Sequence, residues 1–189
     1  MGLAQADRDK WNNRYLNSSK GMPAPPVSLL AHQHHLTTGS LLDIASGEGA
    51  VSLHVAALAN MHVTAVDVSQ VALDTLTNLA LQSGVTINTQ CLDLDDISQV
   101  ANLGQFDNIS IFRYKPSVLL FQQMVDLLLP NGRIIFSTFN LKHSQTASFP
   151  ERLSLTEQEF INVDSRLSLI SYHQSTSPPY TDTYIFQKI

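Results

Sequence analysis

From Gly39 onward, short apolar runs alternate with longer stretches in which apolar residues recur every three to four positions. Parallel strands joined by crossover helices produce that alternation, since a strand covered on both faces reads as a continuous apolar run and its covering helix as an amphipathic one. Runs at 40–44 and 62–66 predict two strands, and Val51, Val55 and Leu58 between them recur at helical spacing. Ser69 is placed to cap a second helix that carries Leu73, Leu76 and Ala80 on one face, with Gly84 as its stop. Further strands are predicted at 85–90, 106–112 and 133–138. A helix at 117–129 should be ended by Pro130, Asn131 and Gly132. The tail predicts a short helix at 156–163 and strands at 167–172 and 183–188. Only Ser177, Pro178 and Pro179 mark the turn between those last two strands, so they should pair antiparallel.

Ahead of the first strand, 7–15 predicts a helix with Trp11 and Tyr15 on one face, followed by a linker containing Gly21, Pro23, Pro25 and Pro26. It reads first as a packing helix and second as a movable cover. The whole is expected to be one domain of 189 residues, with 1–38 as helical cover and linker and 39–189 as an α/β core. Apolar residues make up 43% of the chain, enough for a real core. The net charge of −5 argues against a phosphate-coating surface, so no nucleic-acid partner is expected. The one cysteine, Cys91, excludes an intrachain disulfide and is expected to be a small buried strand residue. With no leader-like or membrane-length apolar stretch, a cytoplasmic protein with no membrane partner is expected, as a monomer or homodimer.

The chemistry concentrates in Leu41-Leu42-Asp43-Ile44-Ala45-Ser46-Gly47-Glu48-Gly49, a glycine-bearing turn between an apolar strand and a helix. Ligands bind there in open α/β sheets. Gly47 and Gly49 let backbone approach a ligand without a Cβ clash, and the amides opening the next helix face the crevice. A dinucleotide fingerprint would need a third glycine where Ser52 stands, and its pyrophosphate would sit badly beside Asp43. A nicotinamide enzyme is therefore the least favoured reading. The carboxylate of Asp43 suits a ligand with a cationic amino-acid portion, and the charge logic points to a sulfonium cofactor. Asp67 ends the second strand, where a carboxylate accepts hydrogen bonds from ribose hydroxyls. Asp93 follows the third, placed to accept from an adenine amine lying against Val68 and Leu94.

With these residues in place, the chain resembles a class I S-adenosylmethionine-dependent methyltransferase. It is similar to the small branch that includes tellurite-resistance-type and thiopurine-type enzymes. The resemblance rests on Asp43 to Gly49, Val63-Thr64-Ala65-Val66-Asp67, Asp93-Leu94, Phe106-Asp107 and Leu129-Pro130-Asn131-Gly132-Arg133. It implies a Rossmann-like fold with a seven-stranded sheet ordered 3-2-1-4-5-7-6, strand 7 antiparallel. S-adenosylmethionine is implied as cofactor and S-adenosylhomocysteine as product. Ala45, Ser46 and Phe112 join the acids and glycines as cofactor contacts. Ala45 stands where relatives often carry glycine, and Asn131 replaces the first glycine of a common Pro-Gly-Gly turn.

The resemblance places the residues facing the transferred methyl after strand four, where the chain reads Phe112-Arg113-Tyr114-Lys115-Pro116 rather than Asn-Pro-Pro-Tyr. Arg113 and Tyr114 are the catalytic candidates, the first to bind an anionic acceptor and the second to orient or deprotonate a nucleophile. Arg14, Arg113, Lys115 and Lys142 are expected to converge on one mouth, favouring a small, anionic acceptor. His143 reads as a loop histidine before a base, and the spacing of His32, His34 and His35 gives no metal site. The expected activity is methyl transfer to a small molecule or oxyanion. The alternative is a non-catalytic protein that binds or senses the cofactor.

Overall fold

The computed structural model describes residues 3–18 and 21–189. Seven strands form one sheet: β1 (Gly39–Ile44), β2 (Met61–Asp67), β3 (Ile87–Cys91), β4 (Phe106–Phe112), β5 (Leu128–Phe139), β6 (Leu167–Gln174) and β7 (Thr181–Lys188). Their order is β3-β2-β1-β4-β5-β7-β6. β1 to β5 run parallel, and β7 lies antiparallel between β5 and β6. Every strand expected from the sequence is present, as is the terminal hairpin. The helices are α1 (Leu3–Leu16), α2 (Val27–His32), α3 (Ala50–Ala56), α4 (Gln70–Ser83), α5 (Ile97–Ala101), α6 (Val118–Leu127) and α7 (Leu141–Thr146). No helix among the described residues is long and apolar enough to cross a membrane.

Alternating side chains divide the core between the two faces of the sheet. Leu42, Ile111, Phe136 and Tyr184 pack with Phe121 and Met124 of α6. Their neighbours Leu41, Phe112, Ile135 and Ile185 turn to the opposite face and meet Leu29 of α2 and Val51 and Val55 of α3. Ser69 caps α4 by accepting from the Ala72 amide at 3.2 Å, and Gly84 ends that helix in the left-handed conformation, as its position in the pattern predicts.

Three expectations are corrected. Residues 156–163 form turns instead of a helix: Gln158 sits at φ 58°, and the Glu159 carboxylate is drawn to Lys115 and the Thr156 amide. The Pro130-Asn131-Gly132 turn does not follow the helix directly. Leu128 has already joined the sheet opposite Phe106, and the register shifts before Asn108 meets Arg133, so the turn is an irregularity within β5. Cys91 is exposed, because β3 is an edge strand with mostly outward positions.

Candidate active site

The order of strands reverses between β1 and β4, and the crevice at their carboxyl ends is where this fold accepts a ligand. Asp43, in β1, lies beside Ala65 and Ser110 on the neighbouring strands. It is 2% exposed. Ser52 Oγ donates to one carboxylate oxygen at 2.6 Å and Ser110 Oγ to the other at 2.8 Å. Burial pushes the Asp43 carboxyl up to about 6, the two hydroxyls pull the other way, and the nearby Asp67 charge adds a smaller upward push.

Asp67 closes β2 and is also buried. Gly47 N–H donates to its Oδ2 at 2.8 Å and Ser69 N–H to its Oδ1 at 2.9 Å. Burial raises this carboxyl as well, against those amides. The carboxylate is thus clamped between two turns, each oxygen retaining a further lone pair. Gly47, at φ 54°, has no room for a side chain: a Cβ there would stand 2.6 Å from the Tyr15 hydroxyl. Gly49 caps α3 at φ 85°, and a Cβ would run into Leu76 of α4. Ala45 holds φ 55° without being glycine, a local strain of about 1 kcal/mol. Ser46 donates its N–H to the Val66 carbonyl, while its Oγ is shielded from solvent with no hydrogen-bond partner.

These residues fit a cofactor bearing an ammonium, a ribose and a cationic sulfur. Two buried carboxylates attract it and accept its donors, and the orphaned Ser46 hydroxyl is an unused polar contact between them. Val68 and Asp93 are half-buried near the ends of β2 and β3, and the Asp93 carboxylate accepts the Asp95 amide at 2.9 Å. Leu94 is buried within the cluster that includes Val66 and Leu120. Phe112, the last residue of β4, lies on the same face of the sheet as Asp43 and Ser110. Ile109 and Ile111 face α6, so the alternation of β4 sends the Phe112 ring to the opposite face with Leu41 and Val51.

Arg113 follows β4, exposed, at φ 57°, and its N–H donates to the Ser137 carbonyl at 2.9 Å. Tyr114 packs, partly buried, against the core cluster on the α6 face of the sheet. Burial, with Asp95, Asp93, Asp67 and Asp7 behind it, pushes the Tyr114 phenol up to about 12. At neutral pH it is a hydrogen-bond donor and not a base. Three of the four cations have partners of their own. Lys115 is held by Glu159 and the Ser154 carbonyl, Lys142 lies 4.2 Å over the Tyr180 ring, and Arg14 lies 5.2 Å over Trp11. Arg113 is left as the exposed cation after β4. His143 stacks on Phe139 at 4.3 Å in the first turn of α7. Among the described residues no group of three or more metal-ligating side chains is arranged to hold an ion.

Sequence reasoning missed what α1 contributes. Asn12 Oδ1 accepts from Ser69 Oγ at 2.7 Å, Tyr15 stands over Gly47, and just past the helix end Ser18 Oγ donates to Glu48 at 2.6 Å. The spacing of Trp11 and Tyr15 was the available signal, but it shows a shared face and not what that face meets.

Residues 41–132 match the family model described as a methyltransferase domain. Over 121 residues the chain is 33% identical to ubiquinone biosynthesis O-methyltransferase from Coxiella burnetii, a stretch that makes up 61% of this chain and 50% of that protein. The chain therefore spans about half the length of the curated relatives it matches. An S-adenosylmethionine-dependent methyltransferase from Anabaena variabilis shares the fold with a TM-score of 0.73 at 18% identity, covering 100% of this chain and 96% of that one. Magnesium protoporphyrin IX methyltransferase from Synechocystis, solved with S-adenosylmethionine bound, gives 0.71 at 17% identity over 100% and 98% of the two chains. The chain thus shares its fold with S-adenosylmethionine-dependent methyltransferases, and its central segment, residues 41–132, matches the methyltransferase-domain model. These matches do not single out the tellurite-resistance-type or thiopurine-type branch.

Proposed function

We propose that this protein transfers the methyl group of S-adenosylmethionine to a small acceptor that arrives already carrying negative charge. The observation that carries the cofactor half is the pair of buried carboxylates, Asp43 and Asp67, on either side of the Gly47 turn with its unpartnered Ser46 hydroxyl. The methyltransferase relatives support the same half. When bound, the cofactor supplies an electrophilic methyl on a positively charged sulfur, which becomes a neutral thioether as the acceptor's lone pair takes the carbon. The chain's task is then alignment and exclusion of water.

The acceptor half is supported by the β4 edge. Tyr114 is held protonated, so it can donate to an acceptor atom but not deprotonate one. Arg113 is free to pair with an anion through two parallel N–H donors. Carboxylates, thiolates and small oxyanions meet both conditions; a neutral alcohol can accept from Tyr114 but offers Arg113 no charge and would need a base.

Calorimetry with S-adenosylmethionine and S-adenosylhomocysteine tests the cofactor half. Both should bind, NAD should not, and Asp67→Ala should weaken binding at least tenfold, about 1.4 kcal/mol. Unchanged affinity in that variant removes the ribose assignment. Turnover across matched anionic and neutral acceptors tests the other half. Arg113→Ala should lower methyl transfer to anions at least tenfold with cofactor affinity intact. A preference for neutral acceptors would overturn it.

A further inference from the structure

α1 is a polar helix. Asp9, Lys10, Asn13, Arg14 and Leu16 are exposed, and no residue among its described side chains belongs to the buried core. What holds it against the crevice is polar: hydrogen bonds of Asn12, the close approach of the Tyr15 hydroxyl to Gly47, and a hydrogen bond of Ser18 just past the helix end. Asn12 Oδ1 accepts from Ser69 Oγ at 2.7 Å and from the Val71 amide at 3.4 Å. Ser69 in turn gives its own N–H to Asp67 Oδ1. One turn further on, the Tyr15 hydroxyl covers Gly47, whose N–H holds Asp67 Oδ2. Ser18 then ties the chain to Glu48 in the same turn. Both turns that clamp Asp67 are thereby latched from above by α1. Burial and the Asp67 charge push the Tyr15 phenol upward, which shows how closely the ring shares that space.

We infer that Asn12 is a positioning residue: it couples closure of α1 to the seating of Asp67, so that cofactor enters and product leaves only when this latch opens. The inference rests on the cofactor reading above and extends it to release. A helix held by a few hydrogen bonds, each modest in net value because water replaces it, opens far more readily than one anchored in the core. Ser69 is the joint. It caps α4, orients Asp67 through its amide and carries the latch on its hydroxyl, so loss of the latch loosens the carboxylate without removing it.

The chain supplies its own probe. Trp11 is the sole tryptophan, adjacent to Asn12 and 6.1 Å from the Tyr15 ring. Stopped-flow Trp11 fluorescence with S-adenosylhomocysteine should show release at least fivefold faster in Asn12→Ala than in the wild type. The KM for S-adenosylmethionine should rise while kcat does not fall. S-adenosylhomocysteine should slow tryptic cleavage after Lys10 and Arg14 in the wild type and fail to do so in Asn12→Ala. Asn12→Asp keeps the accepting oxygen and should restore both slow release and protection. Wild-type release and protection in Asn12→Ala would overturn the inference while leaving cofactor binding standing. Loss of protection in Asn12→Asp equal to that in Asn12→Ala would overturn it too, since the accepting oxygen would then not matter. Failure of the wild type to bind S-adenosylhomocysteine at all would remove the cofactor reading and this inference together.

Discussion

Asp43 is a carboxylate in a place that favours a neutral group. Its folded value of about 6 lies above the ordinary 3.8. The sign follows from linkage: the folded state binds a proton more tightly than the unfolded state, so stability is lost as pH rises from about 4 through 6. At neutral pH the ionised side chain costs on the order of 3 kcal/mol. Asn has the same shape, and the Ser52 and Ser110 hydroxyls can rotate to accept as well as donate. Asp43→Asn should therefore stabilise the ligand-free protein at pH 7 by about 1 to 3 kcal/mol while weakening cofactor binding at least tenfold. Thermal melting with and without S-adenosylmethionine checks both, and a variant that is less stable at pH 7 would refute the argument. Asp43, Gly47, Gly49 and Asp67 were legible in the sequence because each sits at a strand end or in the turn behind it. Ser110 and Asn12 were not. Their partners are 67 and 57 residues away, and nothing local to a serine in a strand or an asparagine in a helix announces a carboxylate or a cap that far along the chain.

At the scale of elements, α2 and the single 3-10 turn behind it, Gln33–His35, meet β6 through histidines. The His32 ring lies 4.6 Å from that of His173, and His34 lies 4.1 Å from His35. Arg133 of β5 and, through Gln33, His54 of α3 complete the surroundings. Burial first, then the neighbouring imidazoles, hold His32 below its usual value of 6.5; His35 shifts the same way, with Arg133 contributing. Folded-state values below the unfolded ones mean that this contact stabilises fully above pH 6.5 and is lost as pH falls through the folded values. Melting temperature should drop from about pH 6.5 downward, and His32→Gln with His173→Gln should flatten that slope. Asp43 works in the opposite direction below pH 6, so the drop should be steeper in Asp43→Asn. The sequence showed three of these histidines as neighbours, but the fourth arrives from β6 and was invisible. The five- and six-residue helices α2, α5 and α7 escaped the pattern for a related reason: one and a half turns hold too few apolar positions to establish a period. β1, β2, β4 and β5 were legible because central parallel strands carry apolar runs, and β3, β6 and β7 because of the alternation of their residues and the Gly, Pro, Asn or Ser in their bounding turns.

For the molecule as a whole, the net charge of −5 leads to the expectation that neither tRNA nor duplex DNA binds at physiological salt. A gel shift that survives such salt would show otherwise. The strand order has a separate consequence, for the protein's birth on the ribosome. β5 pairs with β4 on one side and with β7 on the other, and β6, made in between, has β7 alone as its neighbour. From the moment Phe139 leaves the exit tunnel until Thr181 follows it, β5 presents a bare edge, and Phe136 lacks the Tyr184 ring that later stacks on it at 5.6 Å. The nascent chain must pass through a state with an open, apolar parallel sheet, the kind of surface that pairs with whatever strand is nearest. Chains arrested between these two points should bind holdase chaperones, and release at full length should free them.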